Sequence, residues 1–217
     1  MKYLFSYIIS LLVFTSCPVS GQVTSEGQQQ LINDKVNESG SAVTFFSMED
    51  NRRTLLLKNL RYGNTVSFDN VAGETVLTDN GLYFKDSFKN LMRFSLADNI
   101  LDTIKQTDEF HYNSHNHMLY VYSREKQLLE MRRAESLKLV ASYQVMQYSF
   151  SHDSKQLLLH RIDGTFQLLD LKNLKKKLVW TPEKPFRSWN KVVWENDKVF
   201  VLYNDEREVV MQTIGFK

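Results

Sequence analysis

Asp108, Glu109, His111, His115 and His117 form the densest group of metal-ligating and proton-transferring side chains in the sequence. If this stretch ran as one strand, alternation would bring His115 and His117 onto one face, and imidazoles paired in that way ligate zinc or copper. The same residues also read as a polar connection between strands, with Asn113, Ser114 and Asn116 as turn formers. His111, His115 and His117 are therefore the candidate metal ligands, set against a connection that holds no metal. His152 and His160 flank a turn and a strand end, where a hydrogen-bonding structural role is expected before that of a catalytic base.

Nucleophilic and phosphate chemistry can be tested by the glycines, which stand at 21, 27, 40, 63, 73, 81, 164 and 215. No two are four apart, as a nucleophile elbow requires, and none are two or five apart, as dinucleotide and P-loop fingerprints require. No histidine precedes a glutamate, so the helical zinc-protease motif is missing too. No catalytic or cofactor-binding residue is expected, and no cofactor. Basic and acidic side chains number 27 and 25, a net +2, so no global field selects nucleic acid or an acidic membrane. The basic run Lys172 to Lys177 falls at a turn and reads as a solvated hairpin.

The elements that would position these residues are short strands. Tyr148 to Phe150 closes one, Ser151 to Lys155 is a turn, Gln156 to Ile162 is a second strand, and Asp163-Gly164 makes a tight turn into Phe166 to Leu171. Lys172-Asn173 turns into a fourth strand at Lys177 to Trp180. Four antiparallel strands in about 40 residues is the unit that β-propellers repeat. Taken as end-of-first-strand markers, Phe68, Tyr112, Phe150 and Trp194 are 44, 38 and 44 residues apart. Second strands then fall at Thr75 to Thr78, Met118 to Ser123, Gln156 to Ile162 and Lys198 to Asn204. Third strands fall at Leu91 to Leu96, Leu128 to Met131, Phe166 to Leu171 and Glu208 to Ile214. A β-sandwich also repeats short strands, but it does not require agreement at the longer period. The fold class expected is all-β and β-propeller-like, with four to five four-stranded antiparallel blades over residues 42–217. Tyr148, Phe150, Trp180, Trp189 and Trp194 are expected to pack between blades more than to form a sugar or peptide platform.

Lys2 precedes an apolar run from Tyr3 to Phe14, followed by small and turn residues to Gly21, which is the pattern of a secretory signal peptide. The run is shorter than the roughly 20 residues that span a bilayer. Two processing outcomes stay open. Thr15-Ser16-Cys17 resembles a lipoprotein box in which Cys17 is lipidated, although Phe14 departs from its usual aliphatic residue, whereas Val19-Ser20-Gly21 suits cleavage before Gln22. Periplasmic, outer-membrane-tethered and secreted locations all follow from export, with membrane contact only through a lipid on Cys17. Cys17 is the single cysteine, so an internal disulfide is excluded. Residues 22–41, rich in glutamine and serine, read as a mobile linker, with helical periodicity plausible only in the signal and around Gln28 to Val36.

Thr54-Leu-Leu-Leu-Lys-Asn-Leu-Arg-Tyr-Gly63, followed by Val66-Ser-Phe68, resembles the opening blades of bacterial prolyl oligopeptidase family serine peptidases. Ser149-Phe-Ser-His-Asp153 and Leu169-Asp-Leu-Lys-Asn-Leu174 look like later copies, and also like WD-repeat blades in general. The resemblance spans roughly residues 42–217. It implies a propeller that screens an α/β-hydrolase domain carrying serine, aspartate and histidine, yet no elbow serine stands in this chain to receive such a role. Four recognisable blades and an N-terminal strand pair also fall short of that family's seven or eight, so the ring is expected to be incomplete and self-association to follow. The function expected is an exported, non-catalytic module that contacts a protein, peptide or glycan. The alternatives are a truncated or split peptidase subunit that gates a hydrolase on another chain, and a surface lipoprotein scaffold.

Overall fold

The computed structural model describes residues 30–49, 52–182, 186, 188–195, 198–205 and 208–215. The expected signal segment, Cys17 and residues up to 29 lie outside them. The chain divides into two compact units, Met1–Gln30 and Leu31–Lys217, and the architecture below is that of the second.

Among the described residues there are eighteen strands and no helix. The first sheet is β1 (Gln30–Val36), β2 (Ala42–Glu49), β3 (Arg52–Asn59) and β4 (Thr65–Phe68), hydrogen-bonded in that order. The second is β5 (Val71–Leu77), β6 (Gly81–Asp86), β7 (Leu91–Ser95) and β8 (Leu101–Ile104). β9 (Glu109–Asn113), β10 (Met118–Ser123), β11 (Leu128–Arg133) and the first half of β12 (Leu139–Phe150) make the third. The second half of β12 opens the fourth, with β13 (Gln156–Arg161), β14 (Phe166–Asp170) and β15 (Lys175–Trp180). β16 (Lys191–Glu195), β17 (Lys198–Asp205) and β18 (Glu208–Gly215) form the fifth. The result is an all-β, β-propeller-like succession of antiparallel blades.

β12 joins two blades because nothing in it stops a strand: residues 139–150 contain neither glycine nor proline. Elsewhere the chain breaks between blades at residues in the left-handed region, Asn70 and Gln106, and at Pro182 before the fifth sheet.

One register rule builds the core. Counting from the start of each blade's second strand, the next residue and the third face the preceding blade: Leu82 and Phe84, Leu119 and Val121, Leu157 and Leu159, Val199 and Val201. The residue between them faces the following blade, as Tyr83, Tyr120 and Leu158 do. Period-two alternation thus gives each sheet two apolar faces, and four clusters link the five sheets in sequence. Fully burying each such side chain stabilises the fold by about 1.5–3 kcal/mol. Among the described residues, no buried cluster joins the fifth sheet to the first, so the succession is open.

Polar latches repeat as well. Tyr83 Oη donates to Ala134 O at 2.9 Å, and Asn116 Nδ2 donates to Leu171 O at 3.0 Å, each reaching the residue beyond the third strand of the next blade. Ser39 Oγ donates to Asp79 Oδ1 at 2.9 Å, and Asn113 Nδ2 to Ser154 O at 2.7 Å, tying successive turns between first and second strands.

Several sequence expectations need correction. The proposed boundary at 42 falls inside the first sheet, because Gln30–Val36 pairs as β1 where a linker and helical periodicity were expected. Phe68 ends a fourth strand and not a first, and Thr75 to Leu77 closes β5, with Thr78 in the turn after it. The missed second strand is β6, which opens at Gly81. The true repeat shows in the backbone: Lys89, Gln127 and Gly164 have φ of 63°, 49° and 82° in the turns after the second strands, and stand 38 and 37 residues apart. Asn99, Leu137 and Leu174 keep the same spacing in the turns after the third.

Candidate functional site

The candidate metal ligands are not brought together. β9 ends at Asn113, so His115 and His117 lie in the following turn and not on a strand face. Asn113 Oδ1 accepts the His115 backbone N–H at 2.9 Å, and His117, at φ 52°, sets its Nδ1 3.1 Å from Tyr112 Oη. His111 turns inward onto Phe150, ring centroids 4.3 Å apart, and burial lowers its pKa. Among the described residues no group of three or more His, Cys, Asp or Glu side chains could hold a metal ion.

His160 also departs from expectation. It is fully buried with neither ring nitrogen hydrogen-bonded, stacked on Phe166 at 4.5 Å and 7° and on Trp189 at 5.7 Å and 28°. Burial pushes its pKa down to about 4, so it is a neutral aromatic core residue at pH 7. The aromatic expectation holds: Trp180, Trp189 and Trp194 pack against the cluster between the fourth and fifth blades, and Tyr148 and Phe150 against that between the third and fourth.

Open space lies where three first strands begin. Glu109 at the start of β9, Gln147 in β12 and Trp189 just before β16 each stand nine residues ahead of their blade's second strand. With Tyr122, Arg124, Tyr148 and Ser188 they line a cleft of about 600 Å³. Arg124 comes from the turn between β10 and β11, where its backbone N–H donates to Asp108 Oδ2 at 2.7 Å, and that bond holds the Asp108 carboxyl below its usual range. Its guanidinium lies 3.5 Å from Glu109 Oε1, both groups being exposed. Tyr148 Oη donates to Glu109 Oε2 at 3.1 Å, and Tyr122 Oη to Met146 O at 2.9 Å. Burial first, and the Glu109 charge second, raise the pKa of both tyrosines, so each stays a hydrogen-bond donor. The Gln147 amide clamps the Trp189 backbone: Trp189 N–H donates to Oε1 at 2.7 Å, and Nε2 donates to Trp189 O at 3.4 Å.

The cleft thus offers an exposed guanidinium and carboxylate, fixed phenolic donors and a half-buried indole whose ring stacks on His160 and Phe166, with no histidine in its lining to serve as a base. A smaller cleft of about 500 Å³ lies at the opposite ends of the first strands, between Ser151, His152, Asp153, Trp194 and Glu195. In the sequence Glu109 stood out only as a member of the cluster around the three histidines, and Arg124 and Gln147 did not stand out at all. The signal available was the repeat itself, since Glu109, Gln147 and Trp189 recur at 38 and 42 residues.

No protein-family model matches the chain, and no curated protein sequence matches it. Among solved structures, the crystal structure of BamB from Moraxella catarrhalis is similar with a TM-score of 0.49 at 9% identity, over 81% of this chain. The chain spans 56% of the length of that structure. On its own strand order, the protein belongs to the broad class of β-propeller-like repeat modules.

Proposed function

We propose that this protein is an exported, non-catalytic binding module that holds an extended segment of a peptide or protein in the cleft around Arg124 and Trp189. The observation that carries the reading is the convergence of Glu109, Gln147 and Trp189 from one register position of three successive blades. Convergent polar groups beside aromatic surface are what orient a ligand in a concave site. A peptide is favoured over a glycan because the Trp189 ring is committed to His160 and Phe166. The exposed groups are then Arg124 and Glu109, which suit a peptide's carboxylates and amines. Export rests on Lys2 and the run Tyr3 to Phe14, with tethering at Cys17 and release after Gly21 both open. Kinship with the propeller of prolyl oligopeptidase peptidases rests on the motifs at 54–68, 149–153 and 169–174, and comes without its chemistry.

The test is a peptide library probed with purified wild-type protein and with Arg124→Glu, followed by mass spectrometry of the bound peptides and exposure to a serine-directed phosphonate. The expected result is a set of intact peptides retained by the wild type and weakened at least about tenfold, or 1.4 kcal/mol, by the charge reversal. Cleaved peptides, or stoichiometric phosphonate labelling of a serine, would overturn the reading in favour of a peptidase subunit.

A further inference from the structure

A second cleft, of about 360 Å³, adjoins the peptide cleft between the second and third blades, and Phe88, Lys89, Asp108, Ser123 and Arg124 are among its lining residues. Arg124 lines both clefts, and neighbouring residues divide between them: Asp108 and Ser123 here, Glu109 and Tyr122 in the peptide cleft. Alternation produces the division. On β10, Leu119 and Val121 pack toward the second blade and Tyr120 and Tyr122 toward the fourth, so Ser123 falls on the side of the second. On β9, Phe110 packs toward the second blade while His111 meets Phe150. A chain that leaves the peptide cleft over Arg124 therefore enters this one.

Its chemistry differs from that of its neighbour. Lys89 Nζ lies 3.1 Å from Asp108 Oδ1, and Arg124 is balanced by Glu109, so no excess positive charge remains to select an anion. What the cleft presents is the Phe88 ring, 74% exposed. The turn does not require it: Asp86 Oδ1 closes the turn by accepting the Phe88 and Asn90 backbone N–H groups at 2.9 and 2.8 Å, and the equivalent positions of the next two blades, one residue before Gln127 and Gly164, are Lys126 and Asp163. Ser123 adds a second, independent signal. It is 7% exposed and its hydroxyl has no hydrogen-bond partner, whereas buried polar groups ordinarily have one. A peptide answers both features, with an apolar side chain for the ring and a backbone amide or carbonyl for the hydroxyl.

We infer that the cleft between the second and third blades is a second subsite for the peptide held around Arg124 and Trp189, and that it takes an apolar side chain against Phe88; the inference rests on the peptide-binding reading above. The test starts from a peptide that wild type retains from a random-sequence library. It is resynthesised with each residue replaced in turn by alanine and titrated into wild type, Phe88→Ala, Ser123→Ala and Arg124→Glu, with thermal unfolding of each variant. One apolar residue of the peptide should account for about tenfold in affinity toward wild type. Its replacement should cost nothing further in Phe88→Ala, because groups in contact do not contribute additively. Ser123→Ala should weaken the peptide severalfold with no fall in the thermal midpoint, since the fold loses no hydrogen bond. A peptide that Arg124→Glu weakens but that either Phe88→Ala or Ser123→Ala leaves unchanged would overturn this inference and leave the peptide-binding reading standing. A charged residue of the peptide at the position that depends on Phe88 would overturn it as well. No peptide retained by wild type, or equal affinity in Arg124→Glu, would overturn both.

Discussion

Replacing His160 with phenylalanine should make the protein more resistant to acid. The ring is fully buried between Phe166, Phe186 and Trp189 and makes no hydrogen bond, so at pH 7 phenylalanine keeps the stacking and removes no polar partner. Stability at pH 7 should change by less than about 1.5 kcal/mol, as in volume-conserving core swaps. The difference emerges on acidification. Burial holds the folded pKa at about 4, whereas an unfolded histidine titrates near 6.5. The unfolded state therefore binds a proton that the folded state refuses, and the wild type loses stability as pH falls from about 6.5 to about 4. At about 1.36 kcal/mol per pH unit, the whole window removes about 3 kcal/mol. His111, also lowered by burial, acts in the same direction but is common to both proteins. Asp98, Asp108, Asp153 and Asp163 have lowered values, so their losses begin at about pH 5, fall mostly below this window and are common to both proteins. Urea unfolding midpoints at pH 7, 5.5, 4.5 and 4 would measure the effect. Parallel pH profiles for wild type and His160→Phe would refute the reasoning, since His160 would then be taking up its proton in the folded state.

Gly81→Ala should cost about 1–3 kcal/mol by overpacking, because a Cβ there would sit 2.7 Å from the Phe94 carbonyl oxygen on the paired strand; a drop in the urea midpoint at unchanged slope checks it. Asn113→Leu should cost about 1–3 kcal/mol in all, for the two hydrogen bonds that this buried side chain makes with Ser154 O and the His115 N–H, and thermal unfolding would read the loss. Tyr83→Phe should cost about 1–3 kcal/mol, because it leaves the buried Ala134 O without its donor, by the same measurement.

Much of the fold was legible because the second and third strands are the most buried elements, and their apolar runs stand out: Met118 to Ser123 is β10 to the residue, and Gln156 and Lys198 open β13 and β17 as expected. The errors came where position and burial part company. β1 is a polar strand held by pairing to β2, so its sequence carries no strand pattern. Phe68 has the aromatic character of a first-strand end but closes β4, because the chain passes to β5 in only two residues, Asp69 and Asn70. The site was less legible than the fold. Histidines attracted attention for their chemistry, while their neighbours decided their roles: His115 became a turn residue and His160 a core residue. Arg124 and Gln147 carry no motif, and only the repeat register brings Gln147 beside Glu109 and Trp189.

The central claim is that three successive blades converge on a cleft that binds without chemistry. Isothermal titration of a library-selected peptide into wild type, Arg124→Glu, Glu109→Lys and His115→Ala tests it most directly, with the peptide weighed by mass spectrometry afterwards. The account expects one saturable site and an intact peptide, with affinity lowered at least about tenfold in the first two variants and unchanged in His115→Ala at the far end of the blades. Equal affinity in wild type, Arg124→Glu and Glu109→Lys, or a shortened peptide in the cell, would contradict it.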